Sequence, residues 1–174
     1  MTRDFDTSAP SVERQDFLAG IGSVTSTVTI IAAQGPDGLR AGMTATAVCS
    51  LSDSPPMLLA CLNKSTTTLG VVQAAGRFTV NFLSDDQADL AGRFAKHSNS
   101  VEEADAAFDD ADWCPETATA AKGALVSCHC QLADLHDAGT HYIVTGRVTG
   151  IDQRDGQGPL LYGRQSFQRR PEKV

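Results

Sequence analysis

The chain has 174 residues, of which 41% are hydrophobic and 20% charged, and a formal net charge of −7. That is one domain's worth of sequence, long enough to bury a core. The acidic balance argues against nucleic acid or an anionic membrane surface as a main partner, and no apolar run approaches the roughly 20 residues that span a bilayer.

The N-terminal stretch "MTRDFDTSAPSVERQDF" is polar and acidic and has no apolar signal-peptide core, which points to the cytoplasm. Residues 1–10 are expected to be disordered, with a single domain over 11–170. A helix is expected around Val12–Gly20. "VTSTVTIIAA" (24–33) reads as a strand with Val24, Ser26, Val28, Ile30 and Ala32 on one face. "QGPDGLR" then supplies Gly, Pro and Asp-Gly, a turn that reverses the chain into a hairpin.

The next segment, "GMTATAVCSLSDSPP" (42–56), reads as one strand. One side carries Met43, Ala45, Ala47, Cys49 and Leu51. The other carries Thr44, Thr46, Val48, Ser50 and Ser52, small hydroxyls where a solvated face would carry Lys and Glu. "SDSPP" ends the strand, because proline cannot donate to a ladder and pushes its predecessor to extended geometry. "MLLACLN" (57–63) is apolar without alternation, as in a central strand covered on both faces.

"STTTLGVVQAAG" (65–76) predicts a short helix ending at Gly76. "RFTVNFL" (77–83) alternates, with Phe78, Val80 and Phe82 inward. "SDDQADLAGRFAK" (84–96) predicts a second helix, with Ser84 and Gln87 in capping-box spacing and Leu90 and Phe94 facing inward. "HSNSVEEADAAFDDADW" (97–113) is acidic and Ala-rich, an expected surface loop or mobile helix outside the core. "ALVSCHCQLADL" (124–135) and "HYIVTGRVTGI" (141–151) form a late strand pair joined by "HDAGT". Six strands with short turns imply a mainly β, barrel-like fold with short helices.

The five cysteines, at 49, 61, 114, 128 and 130, include no CxxC pair, so neither a zinc ribbon nor a thioredoxin-type motif is supported. In "CHC" (128–130), strand alternation puts Cys128 and Cys130 on a face with Val126 and Leu132, and His129 on the other. Buried packing is therefore the expected role and no metal is assigned. No Ser-His-Asp or Cys-His set offers a catalytic nucleophile.

"NKSTTT" (63–68) leads into a helix, whose N-terminus offers unpaired N–H groups and a positive dipole end to a phosphate. Lys64 adds charge, and Ser65, Thr66 and Thr67 add donors; an ordinary N-cap accounts for the segment equally well. Beside the hydroxyl face of the preceding strand, it suggests a pocket for a flat, phosphorylated ring system. No Gly-rich dinucleotide or Walker loop sharpens that reading.

"GMTATAVCSLSDSPPMLLACLN", "NFLSDDQADLAGRFA", "GTHYIVTGRV" and "GPLLYGRQSF" fall in the order and spacing of the flavin reductase family. The chain resembles the small reductase component of two-component flavin monooxygenases, including the 4-hydroxyphenylacetate monooxygenase reductases, from about Phe17 to Phe167. The resemblance implies an FMN-binding split β-barrel, a homodimer, FMN or FAD as flavin, and NADH or NADPH as hydride donor. It places Met43, Thr44, Ala45, Thr46 and Ala47 along the isoalloxazine ring. It gives the ribityl phosphate to Asn63, Lys64, Ser65, Thr66 and Thr67. Arg93 and Phe94 match a family site that helps close the flavin pocket, with Arg93 a second phosphate contact. His141 matches a histidine near the nicotinamide, and Tyr162 and Arg164 fall in a segment that packs near flavin or dinucleotide.

The activity implied is hydride transfer from nicotinamide to flavin N5, with reduced flavin passed to an oxygenase partner. A reductase serving pyrimidine-ring breakdown is a neighbouring reading. A flavin-binding module without turnover is another. A single-strand nucleic-acid binder is disfavoured by the charge and by an aromatic content of only 6%.

Overall fold

The computed structural model describes residues 10–155 and 158–168. The N-terminal disorder expected from sequence falls on 1–9, outside the described residues, as does the end of the expected domain at 169–170. The chain opens with α1 (Arg14–Gly22), followed by β1 (Ser26–Thr27), β2 (Thr29–Gln34), β3 (Arg40–Ala45), β4 (Val48–Asp53) and β5 (Pro56–Asn63). Next come α2 (Thr67–Ala75), β6 (Arg77–Phe82), α3 (Ala88–Phe94), α4 (Val101–Asp105) and a 3-10 turn at Asp110–Asp112. The long strands β7 (Val126–Ala138) and β8 (His141–Gln153) and the short β9 (Leu161–Gly163) and β10 (Ser166–Gln168) complete it.

Seven strands form one antiparallel sheet in the order β3-β2-β6-β7-β8-β5-β4, and β1-β9-β10 form a second, smaller one. The two edge strands of the large sheet, β3 and β4, are joined by only Thr46 and Ala47. The sheet must therefore curl until its edges meet at those two residues, yet no β3–β4 ladder closes it. That is a mainly β architecture with an unclosed barrel.

The single strand expected over 42–56 is thus two strands. The Thr29 hydroxyl donates to the Ala45 carbonyl at 2.7 Å, which ends the β2–β3 ladder, and the chain crosses to pair with β5. Facing changes after the break. Ala45 is buried, but Ala47, Cys49 and Leu51, expected on the same inward side, are exposed, whereas Val48 packs on the core. The strand at 57–63 likewise differs from expectation. It lies second from an edge, with Leu58, Ala60 and Leu62 buried and Met57, Leu59 and Cys61 only half-buried.

Two cores lie on opposite sides of the sheet. Inside the curl, Ile31, Leu58, Leu62, Val72, Phe78, Val80 and Val144 pack with Cys128 and Cys130, as alternation requires, while His129 faces away. Burial raises the Cys128 thiol, and burial together with the nearby Cys128 pushes Cys130 up to about 12. Outside the curl, Val28, Ile30, Ala32, Leu90, Phe94, Phe108 and Trp113 form the second core. β2 and β6 are therefore covered on both faces, and the alternation read in 77–83 misses the burial of Thr79 and Asn81. Asn81 anchors that cover by donating to the Thr119 carbonyl at 3.0 Å and accepting from Ala121 N–H at 2.9 Å.

The helices expected at 65–76 and 84–96 form in shorter versions. Gly76 ends α2 at φ +62°, a left-handed cap open to glycine without a Cβ penalty. Ser84 does donate its N–H to the Gln87 side-chain oxygen at 3.0 Å. Its hydroxyl also donates to the Gly123 carbonyl, and its backbone bridges Pro159, so the helix starts only at Ala88.

The acidic segment 97–113 is the largest departure from expectation. Ala104, Phe108 and Trp113 are buried, with Trp113 only 1% exposed. Phe94, Phe108 and Trp113 form a ring trio with centroids 4.6–5.4 Å apart. The acids face outward from this apolar anchor, and three of them pair with arginines of the body of the protein.

Candidate functional site

β3 is the edge strand that carries Met43, Thr44 and Ala45 of the expected ring-binding residues, with Thr46 and Ala47 in the link to β4, and the parity of its ladder decides which main-chain groups are free. The Gly35 N–H donates to the Leu39 carbonyl at 2.8 Å, so Gly35–Leu39 is a hydrogen-bonded pair. In an antiparallel ladder such pairs alternate with non-bonded ones. Ala41, Met43 and Ala45 therefore bond to β2, and Arg40, Gly42 and Thr44 turn their N–H and C=O groups to the free edge. The Arg40 N–H follows this rule, donating outward to Asp105 Oδ1 at 2.9 Å. Gly42 and Thr44 come next along the same edge.

Gly42 is glycine because nothing larger fits. A Cβ there would lie 3.0 Å from the Phe94 ring and 3.2 Å from Phe108. Thr44 sends its hydroxyl to the Ala91 carbonyl of α3 at 2.6 Å, which fixes the middle of the strand. Below Thr44, Ala45 and Thr46 opens a cleft of about 260 Å³, also lined by Val28, Ala95, Tyr162 and Phe167. Tyr162 stacks edge-on against Phe167 at 5.3 Å. The strand and the "LLYG" segment, 116 residues apart between Thr46 and Tyr162, are thus two walls of one cleft.

A smaller cavity of about 30 Å³ joins Gly42 and Met43 to Thr66, Thr67 and Thr68, with Lys96, His97 and Ser98 on its far side. Here the loop 63–67 is shaped by its own hydrogen bonds. Asn63 Oδ1 accepts from the Ser65 N–H and hydroxyl, each at 2.9 Å, and the Asn63 carbonyl accepts from the Thr66 hydroxyl at 2.9 Å. Thr66 is the N-cap of α2, but its side chain caps nothing in the helix. The first-turn N–H groups at Thr67 and Thr68 are left for another acceptor.

The remaining expected site residues fall in other places. His141 lies directly opposite Asn63 in the β5–β8 ladder, with Nδ1 2.8 Å from the Thr140 hydroxyl. Lys64 holds its ammonium 2.7 Å from Asp137 and over the Tyr142 ring, so its charge is already compensated. Arg93 pairs with Asp112 at 2.8 Å, and Phe94 is buried beneath Gly42. Arg164 sits in the exposed β9–β10 turn at φ +50°, its N–H donating to the Gly22 carbonyl. Ala47 is exposed, and its carbonyl accepts from Cys61 N–H.

Lys96, His97, Ser98, Ala95 and Phe167 are wall residues not expected from sequence. A basic pair followed by hydroxyls at a helix end, "KHSNS", was the available signal for the first three. Arg40 was likewise not expected; its guanidinium bridges Asp105 at 3.0 Å and Asp110 at 2.9 Å and lies over the Phe108 ring. Burial would lower the Arg40 pKa, but hydrogen bonds to Asp105 and Asp110 outweigh it and hold the group above its usual value.

A larger cleft, about 480 Å³, is elsewhere, under the 115–119 turn on the outer face of β6 and β7. It contains His129, held between Asp152 at 2.8 Å and Thr79 at 3.4 Å, and none of the expected site residues. Size alone does not make it the site.

A family model described as a flavin reductase like domain matches residues 21–170. The chain is 37% identical to the FMN reductase (NADH) RutF of Stutzerimonas stutzeri, over 89% of this chain and 87% of that protein. It is 33% identical to the 4-hydroxyphenylacetate 3-monooxygenase reductase component of Pseudomonas aeruginosa, over 90% and 91%. Its structure is similar to that of the NADH:FAD oxidoreductase SgcE6 of Streptomyces globisporus, with a TM-score of 0.81 and 27% identity over 95% of this chain and 99% of that one.

Proposed function

We propose that this chain, which belongs to the flavin reductase-like family, catalyses hydride transfer from NADH to FMN or FAD and releases reduced flavin to a separate oxygenase. The observation that carries the reading is the free edge of β3 at Gly42 and Thr44, set beside the uncapped start of α2. A pteridine-like ring edge presents alternating acceptors and donors, which strand-edge N–H and C=O groups complement without ordering any long side chain. A phosphate fits the N-terminus of α2, where Thr67 and Thr68 present N–H groups at the positive end of the helix dipole.

Flavin, when bound, supplies the ring whose N5 accepts the hydride. The protein's part is positioning, which lowers the barrier through orientation rather than through a nucleophile. Gly42 and Thr44 would hold the polar edge of the ring. Thr46 and Tyr162 flank the cleft, and His141 with Asn63 would meet the nicotinamide portion. Arg93 and Lys64 act through their carboxylate partners, Asp112 and Asp137, in shaping the site.

The functional form is a homodimer. Supporting this, Met57, Leu59, Cys61 and Ile143 line the outer face of β5 and β8, half-buried and next to the Asn63–His141 pair, a face that a second copy would cover. The thiols are all unpaired among the described residues, as suits the reducing cytoplasm. No helix among those residues is long and apolar enough to cross a membrane.

The test is nicotinamide oxidation followed by absorbance, with NADH and NADPH each tried against FMN, FAD and no added flavin. Oxidation that depends on added flavin supports the reductase. Bound flavin without oxidation replaces it with a flavin-binding module.

A further inference from the structure

Beyond the Asp112 pair and the wall residues His97 and Ser98, the acidic segment 97–113 grips both halves of the flavin site. Asp105 Oδ1 accepts from the Arg40 N–H at 2.9 Å and from Arg40 Nε at 3.0 Å. It thereby occupies the first outward-facing N–H of β3, two and four residues ahead of the Gly42 and Thr44 groups that face the ring. Asp110 holds the other end of the same guanidinium, and Phe108 lies beneath it at 4.8 Å. One step along, Phe108 and Phe94 touch the backbone of Gly42 so closely that no Cβ fits. At the phosphate end, the Thr67 hydroxyl donates to the Ser98 carbonyl at 3.0 Å. Arg93 ties the segment back to α3 through Asp112 and the Ala107 carbonyl.

An edge strand without a neighbour is the least constrained strand of a sheet. Its unpaired groups read a ligand only if the backbone that carries them is held from the other side. We propose that Asp105 is a flavin-positioning residue: acting through Arg40, it clamps β3 to the 97–113 segment and so fixes where the Gly42 and Thr44 main-chain groups meet the ring. The proposal rests on the flavin reading of the β3 edge. Asp105 itself does not touch the flavin. The aromatic trio supplies the anchor of the clamp, and the Arg40 bonds set its register against the strand.

The full-length protein tests this with Asp105→Ala and Asp105→Asn. Flavin binding is read by quenching of flavin fluorescence, and steady-state rates are taken with flavin and NADH varied separately. Both are measured well below the thermal midpoint of each variant. Asp105→Ala leaves the Arg40 N–H without its acceptor, and flavin Kd and KM rise roughly tenfold, the scale of one lost charged hydrogen bond. KM for NADH is unchanged. Asp105→Asn keeps an acceptor oxygen for the N–H and loses only the charge, so the rise is about threefold. The single tryptophan, Trp113, reports through its emission whether the segment has stayed docked.

A purely structural aspartate would lower the thermal midpoint and leave flavin affinity of the folded protein unchanged. Flavin Kd within error of wild type in both variants overturns the clamp. If Asp105→Ala does not fold, the Asp105→Asn value alone decides in the same way. A wild-type protein that binds no flavin overturns the flavin reading itself, and the clamp with it, whereas normal wild-type binding with unchanged variants sinks the clamp alone.

Discussion

Replacing Gly42 by alanine tests the packing of the site with a single methyl group. The new Cβ would stand 3.0 Å from two atoms of the Phe94 ring and 3.2 Å from Phe108, tighter than ordinary van der Waals contact. Neither ring can turn aside, because each is wedged against the other and against Trp113. The strand must move by a few tenths of an ångström, or the rings must leave their rotamers, and overpacking of this kind costs about 1–3 kcal/mol. For a chain of this size that is a fall in thermal midpoint of several degrees, at roughly 2–4 °C per kcal/mol. Gly70→Ala is the internal control. A Cβ there meets nothing within 4 Å, and the exposed helix interior gains about 0.4–1 kcal/mol from a less flexible unfolded chain. The same chemical change should thus have opposite signs at the two positions. Differential scanning fluorimetry with flavin titration reads both. Gly42→Ala with an unchanged midpoint and unchanged flavin affinity would refute the close packing beneath β3 and its link to the site.

Thr46→Tyr should abolish flavin binding while preserving the fold, since Thr46 is exposed and lines the cleft beside Tyr162; retention of flavin at wild-type affinity would place the ring on another face. His141→Ala should slow nicotinamide oxidation more than it weakens flavin binding, and identical steady-state constants would remove His141 from the reaction. Cys130 carries a folded-state pKa raised from 9.0 to about 12, so its thiol stays protonated in the fold after the unfolded chain has ionised. The stability this contributes is whole below pH 9 and is lost as pH rises from there towards 12. Cys130→Ala should flatten the decline in urea stability over that range, and a parallel decline in both proteins would contradict the assignment.

The β2–β3 hairpin was legible because a Gly-Pro-Asp-Gly turn separates two runs of the right period, and Leu90 with Phe94 because four-residue spacing marks a helix face. The break at Thr46–Ala47 was not legible. It depends on the Thr29 hydroxyl reaching Ala45 and on β5 waiting to receive β4, neither of which is local. In the acidic segment, composition outweighed pattern. Val101 and Ala104, three apart on α4, pack on the inner core, while Phe108, beyond the helix end at Asp105, joins the outer one, so no single apolar stripe announced the docking that the acids concealed. Asn81 and Thr79 looked like the outward face of an alternating strand. They are buried because the 114–124 segment, distant in sequence, folds over them.

The site's economy of side chains bears on what happens after chemistry. In the proposed site, a ring read by one strand edge and a phosphate read by one helix end would be held on two sides only, and the cleft beside them, at about 260 Å³, lies below the ~300–1,000 Å³ usual for enclosing a ligand. Enclosure would raise affinity, but it would also occupy the face on which a second ring has to stack for hydride transfer. On the proposed reading, the open side is where nicotinamide would enter, and the same opening would let reduced flavin leave. Affinity in such a site is set by how rigidly the two main-chain features are held relative to each other. One segment touches both, through Arg40 at the strand and Ser98 at the helix. Tightening or loosening that segment is thus the most direct way for this fold to trade flavin retention against flavin release, without altering any group that meets the reacting atoms.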